Sequence, residues 1–65
     1  MEPLTKNELD VLYYAAKGKR TKQIAKLMFY CESYVKLIKA SALKKLKANN
    51  ITHAVAIAIR TGLIK

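Results

Sequence analysis

The side chains of this chain that are best suited to function are the basic ones, which can bind anions. Residues that commonly serve catalysis are few. The sequence holds one His, one Cys and four acidic residues. These form no recognisable nucleophile–base pair, metal-ligand cluster or glycine-rich phosphate loop. We therefore expect a protein that is not an enzyme and that carries no metal or cofactor.

Basic residues dominate the charge. Thirteen Lys and Arg against four Asp and Glu give the 65 residues a formal net charge of +9. A charge this high on a small domain repels itself unless an anion is nearby. Nucleic acid is the usual anion and a membrane surface the second, so the charge favours a nucleic-acid partner. The alternative is a basic surface that serves only solubility.

Length and cysteine usage predict one cytoplasmic domain, residues 1–65. A single cysteine, Cys31, cannot form an internal disulfide and fits a reducing compartment. The longest apolar run, Ala54–Ile59, is too short to span a bilayer, and the first residues show no secretion signal. We expect no membrane partner.

Capping and periodicity predict an all-α fold. Thr5 and Glu8 have the spacing of a capping box, and Leu9, Leu12 and Ala16 form the expected buried stripe of the first helix. Gly18 and the Asn49-Asn50 pair mark ends of helical pattern. The four predicted helices cover about residues 6–17, 21–29, 32–47 and 51–61.

The second and third predicted helices have the spacing of a helix-turn-helix, with residues 29–31 as the turn. In that motif the later helix enters the major groove, N-terminal part first. Lys36 can donate to guanine O6 and N7, and Leu37 or Ala40 can contact a thymine methyl. The predicted core stripe of this helix is Val35, Ile38, Ala42 and Leu46. The predicted base-contacting residues on its opposite face are Ser33, Lys36, Leu37 and Ala40.

Several residues around this motif are predicted to bind backbone phosphates. Two cations flank Thr21, the predicted N-cap of the second helix, where the helix dipole favours an anion. Alternatives stay open: the lysines as a solvated surface, Leu37 as a packing residue, and Tyr34 as an ordinary surface tyrosine. The predicted phosphate contacts are Arg20, Thr21, Lys22, Tyr34, Lys44 and Lys47.

Two further features concern the third and fourth helices. Cys31, at the start of the third helix, is expected to be a small buried residue. Residues 54–59 are apolar on nearly all sides of the fourth helix, so one face packs on the domain and the other needs a partner.

The order and spacing of several short elements resemble the LuxR-type, or GerE-like, helix-turn-helix family. The resemblance covers residues 4–64, nearly the whole chain. The matching elements are Leu4-Thr5 with Glu8, Val11-Leu12, Ala16-Lys17-Gly18, Lys22-Gln23-Ile24-Ala25, Glu32-Ser33-Tyr34-Val35-Lys36, Lys45-Leu46, Ala54-Val55 and Gly62-Leu63-Ile64.

The resemblance implies a four-helix domain of a transcription regulator. Lys36 matches the base-contacting lysine of the family, and Leu37 matches the contact position after it. The fourth helix forms a homodimer in the family. The residues expected in that interface are His53, Ala54, Ile57, Ala58 and Thr61.

This chain departs from the family pattern at several positions. Cys31 stands where the family has Ser, Tyr34 where it has Thr, and Ala40 where it often has Lys or Asn. Ile51 replaces an Arg that would pair with Glu8, so the capping box is expected to be the main role of Glu8. The changes at Tyr34 and Ala40 weaken the expectation that this chain binds the usual target sequence of the family.

The predicted function is a stand-alone transcriptional regulator that binds double-stranded DNA as a homodimer. Another transcription factor or RNA polymerase is a further candidate partner. One alternative is a helix-turn-helix domain that acts mainly through protein–protein contact, such as an inhibitor of another regulator. A basic peptide that binds membranes or RNA is the other, and the capping and turn chemistry disfavours it.

Overall fold

The computed structural model describes residues 3–64, which form α1 (Lys6–Ala16), α2 (Thr21–Met28), α3 (Glu32–Leu46) and α4 (Ile51–Arg60). None of these residues lies in a strand, so the prediction of an all-α, four-helix domain is confirmed. Each helix begins at its predicted residue. The residues predicted to end the four helices are their C-caps in the structure, namely Lys17, Phe29, Lys47 and Thr61.

Side chains close the first turns of α1 and α4. In α1, the Glu8 N–H donates to Thr5 Oγ1 at 3.2 Å, and the Thr5 N–H donates to Glu8 Oε1 at 2.7 Å, which completes the predicted capping box. In α4, the His53 N–H donates to Asn50 Oδ1 at 2.8 Å. These bonds satisfy amides that a helix start leaves without partners.

The N-cap of α2 differs from the prediction, because Arg20 and not Thr21 occupies that position. The Arg20 N–H donates to Gln23 Oε1 at 3.0 Å, and Thr21 is already the first helical residue. The Thr21 hydroxyl is therefore available for other contacts.

Left-handed residues end α2 and α3 abruptly. Phe29 has φ 62° and Lys47 has φ 55°. After α2, the Tyr30 N–H donates to the Ala25 carbonyl at 2.9 Å, the bond typical of a Schellman end. This tight end leaves only three residues between α2 and α3, as a helix-turn-helix requires.

The core consists of two clusters that meet along α3. The buried stripe predicted for this helix is confirmed, and its two halves pack in different directions. One cluster joins α1, α2 and α3, and comprises Val11, Ile24, Ala25, Val35 and Ile38. The other joins α1, α3, α4 and the C-terminal segment, and comprises Leu12, Ala42, Leu46, Ala54, Ala58 and Ile64. Because it packs along its whole length, α3 is held as a rigid element.

Two burial predictions are wrong. Ala16 is exposed, whereas Val11, which lies outside the predicted stripe, is fully buried. The reason is that α1 contacts all three other helices, which moves its buried arc toward Val11. The predicted burial of Leu12 is confirmed. Cys31 is exposed, because it caps α3 from the surface turn.

Within residues 3–64, no helix is long and apolar enough to cross a membrane.

Candidate nucleic-acid interface

One face of α3 carries the residues predicted to read bases. It lies opposite the buried stripe, so its side chains point to solvent. Leu37 is 66% exposed, which rules out the alternative that it packs in the interior. Apart from two adjacent residues, successive positions along this face are three or four residues apart and therefore line up on one side of the helix. The exposed residues on this face, called the α3 strip below, are Ser33, Lys36, Leu37, Ala40 and Lys44.

The carboxylate of Glu8 fixes α3 against α1. Glu8 is only 3% exposed, and its Oε1 lies 2.8 Å from the Lys45 Nζ. The Ser41 hydroxyl donates to Glu8 Oε2 at 2.6 Å. The expectation that the capping box is the main role of Glu8 is therefore wrong, because the carboxylate also pairs with Lys45 and Ser41 on α3. Lys45 therefore holds α3 against α1 and does not form part of a solvated basic surface.

These neighbours keep Glu8 ionised. Burial alone would raise its pKa, but the Lys45 ammonium, the Ser41 hydroxyl and the amide and hydroxyl of Thr5 together lower the pKa from 4.5 to about 2. The site is a structural ion pair, and among residues 3–64 no group of three His, Cys, Asp or Glu could hold a metal.

Aromatic side chains support the N-terminal end of α3. The rings of Tyr30 and Tyr34 meet edge to face with their centroids 4.8 Å apart. The Tyr30 hydroxyl accepts a hydrogen bond from Asn7 Nδ2 at 3.2 Å, which ties the turn to α1. Tyr34 is 42% exposed and, with Leu37, lines an open cleft of about 350 Å³ between α1 and α3. Its predicted phosphate contact is thus sterically open and stays a prediction.

The other predicted phosphate contacts form two groups. Arg20 and Lys22 are exposed at the start of α2, and Lys44 and Lys47 are exposed near the end of α3. Thr21 is half-buried, and its hydroxyl accepts a hydrogen bond from the Lys39 Nζ.

Sequence reasoning missed Lys39, although its position offered a signal. At about 100° per residue, Lys39 lies only about 40° from Val35 around α3, beside the buried stripe. A lysine next to the core extends its ammonium to a polar partner at the surface.

The predicted dimer residues of α4 separate into buried and exposed ones. Ala54 and Ala58 are fully buried, so their assignment to a dimer interface is wrong. These small residues, one turn apart, are the face through which α4 packs on α1 and α3. Ile57 is half-buried against the same cluster, while His53 and Thr61 are exposed.

A different face of α4 is open to solvent. Thr52 and Ala56 are exposed, Ile59 is 52% exposed, and Val55 beside them is half-buried against the core. These positions are spaced by three or four residues and form one continuous side of the helix, called the α4 stripe below.

Comparison with known proteins identifies a family and includes two curated relatives. The family described as bacterial regulatory proteins, luxR family (GerE), matches residues 2–58. The chain is 44% identical over 64 residues to the uncharacterized transcriptional regulatory protein YxjL of Bacillus subtilis, covering 98% of this chain and 29% of that protein.

It is also 40% identical over 62 residues to RpaR of Rhodopseudomonas palustris, an HTH-type quorum sensing-dependent transcriptional regulator, covering 95% of this chain and 26% of that protein. The chain thus spans less than a third of the length of these relatives.

Proposed function

Since this chain belongs to the luxR family of bacterial regulatory proteins, as the resemblance predicted, we propose that it binds duplex DNA as a homodimer and regulates transcription. The observation that carries the proposal is the α3 strip, where Lys36, Leu37 and Ala40 are exposed together on a helix held rigid by two cores. A rigid helix with one face exposed fits the major groove of B-DNA.

The residues of the strip divide the work of recognition by their chemistry. Lys36 donates to guanine O6 or N7, and the apolar Leu37 and Ala40 contact thymine methyl groups. The cations around the strip bind backbone phosphates. These contacts set the position of α3 without reading sequence. Those cations are Arg20 and Lys22 at the start of α2, and Lys44 and Lys47 toward the end of α3.

The α4 stripe is the surface we propose for the homodimer. Ile59 is a large aliphatic residue, half exposed on a helix whose other face is already packed. Pairing two copies through this stripe buries Ile59 and Val55 against their equivalents. A symmetric pair presents two copies of α3 to half-sites about one helical turn apart.

Binding to mixed-sequence duplex DNA across a salt series tests the proposal. We expect measurable affinity at about 50 mM salt and a steep decline with increasing salt, because each neutralised phosphate contributes a slope of about −0.9 to log K against log salt. Negligible binding at the low-salt end by a folded chain would remove DNA binding from the proposed function.

Protein–protein action is the second candidate, and the exposed Ile59 is the observation that favours it. In that case α4 pairs with another regulator rather than with its own copy. The salt series separates the two, because an inhibitor of this kind binds its partner without needing affinity for DNA. Another transcription factor or RNA polymerase would be such a partner.

A further inference from the structure

The lysines of α3 differ in what their ammonium groups contact. Lys36 and Lys44 are exposed on the α3 strip, and Lys45 is paired with Glu8. Lys39 alone reaches α2 among the hydrogen bonds of residues 3–64, where its Nζ donates to Thr21 Oγ1, eighteen positions earlier in the chain. This bond joins the two helices of the helix-turn-helix through polar atoms.

The bond to Lys39 restricts what the Thr21 hydroxyl can do. A hydroxyl has one proton to donate and two lone pairs that accept. The ammonium of Lys39 has only protons to donate, so it occupies a lone pair of Thr21 Oγ1. The hydroxyl proton is left to turn toward an acceptor on the other side.

The surroundings of Thr21 match an anionic acceptor. Arg20 and Lys22 flank it and are both exposed, and the first turn of α2 holds no acidic residue. The Arg20 N–H is occupied by Gln23, whereas the Thr21 side chain makes no capping bond. With cations on either side, an oxygen of a backbone phosphate is the acceptor that duplex DNA supplies.

We propose that Lys39 is a positioning residue for DNA binding, which acts by holding the Thr21 hydroxyl as a donor to a backbone phosphate. The inference rests on the proposed function and adds a residue to it. Lys39 also ties the phosphate-contacting start of α2 to the base-reading α3. The phosphate contact and the base contacts can then form in the same position of the domain on DNA.

A double-mutant cycle on the 65-residue chain tests this role. Lys39→Met removes the ammonium and keeps the stem, and Thr21→Val removes the hydroxyl and keeps the shape. We expect each single change to weaken duplex binding by roughly tenfold, in line with the loss of a charge-assisted contact. In the Thr21→Val background, Lys39→Met is expected to change affinity less than about twofold beyond its general charge effect.

Conservative variants and a charge control complete the design. Lys39→Arg and Thr21→Ser retain the donor and the hydroxyl, and are expected to bind within about threefold of the original chain. Lys26→Met, which removes an exposed lysine elsewhere on α2, measures the general effect of losing one charge. Thermal unfolding of every variant shows whether a change in affinity comes from a change in folding.

The outcomes are distinct. An equal loss from Lys39→Met in both Thr21 and Thr21→Val backgrounds would mean that Lys39 acts by its own charge, and the inference fails. A loss no larger than that of Lys26→Met also overturns it. If the unsubstituted, folded chain does not bind DNA at low salt, the proposed function fails first and the positioning role fails with it.

Discussion

At the scale of single residues, Glu8 shows how one side chain serves two levels of structure. Its carboxylate closes the capping box of α1 and also binds Lys45 and Ser41 on α3. A carboxylate that is nearly inaccessible to water is costly unless it is paired and hydrogen-bonded, and here it is both. Local order at the start of α1 and the placement of α3 therefore depend on the same group.

This arrangement predicts acid sensitivity. The pKa of Glu8 is about 2 in the folded chain, against 4.5 for the free group. A lowered pKa contributes stability above 4.5, and the contribution is lost as pH falls toward 2. The full contribution is about 3 kcal/mol. We expect the free energy of unfolding, measured in urea between pH 7 and pH 2, to fall over that window.

Two variants isolate the effect of Glu8. Glu8→Gln is expected to be less stable by about 2–4 kcal/mol at pH 7, because it leaves the Lys45 charge unpaired, and to lose less stability in acid. Asp10→Asn, in the same helix, is the matched control and is expected to retain the acid sensitivity of the original chain. A Glu8→Gln chain that loses as much stability in acid as the original would contradict this account.

At the scale of elements, α3 shows what the sequence could predict and what it could not. Its start, its end and its buried stripe followed from spacing, because a helix places every third or fourth residue on one side. The roles of Lys39 and Lys45 did not follow, because spacing does not say which neighbouring helix supplies a carboxylate or a hydroxyl. Those partners, Glu8 and Thr21, come from distant parts of the chain.

The buried face of the fourth helix was predicted wrongly for a related reason. Its sequence is apolar on nearly all sides, so periodicity alone does not decide which face packs inward. Close packing selected Ala54 and Ala58, whose small side chains allow α4 to approach α1 and α3. The larger Ile59 was left exposed. The predicted interface residues Ala54 and Ala58 therefore lie on the packed face of α4 and not on the α4 stripe.

The proposed recognition of bases by α3 gives a prediction at the scale of this element. Lys36→Ala is expected to cost about 1–3 kcal/mol of binding to the preferred sequence and to relax the choice of base at one position. The reason is that a lysine donating to guanine discriminates among bases, whereas a phosphate contact does not. Competition between the preferred duplex and single-base variants, at fixed salt, measures the change.

Lys44→Ala is the matched control for Lys36→Ala. Both lysines are exposed on the α3 strip, but Lys44 lies two turns further along the helix, where we propose contact with a phosphate. Its loss is expected to weaken binding to all sequences alike and to reduce the salt slope by about 1. If Lys36→Ala also weakens all sequences equally, Lys36 contacts phosphate and not base.

At the scale of the whole molecule, size and charge together favour a pair of chains on DNA. The described part of the chain measures 27 × 19 × 19 Å. Half-sites one helical turn apart are separated by about 34–36 Å, which is longer than any dimension of one domain. Reading two half-sites therefore needs two copies. A chain with a net charge of +9 repels its copy in solution, and DNA phosphates remove that repulsion.

The last prediction concerns the surface that joins the two copies. Ile59→Glu is expected to abolish self-association in sedimentation measurements and to convert cooperative binding at paired half-sites into independent binding, because it places a charge in an apolar interface. Since Ile59 is 52% exposed, the fold should survive the change. Ile57→Glu would be a poorer test, because Ile57 packs against the core.

Leu27→Glu is the matched control, since it makes the same kind of change at an apolar residue of α2 that is 46% exposed. It is expected to leave self-association unchanged, because Leu27 lies outside the α4 stripe. If the original chain stays monomeric at high concentration and on paired half-sites, and Ile59→Glu changes neither result, α4 does not form a homodimer. The exposed Ile59 would then favour a different protein as the partner of α4, because a half-exposed isoleucine on a packed helix still gains by burial.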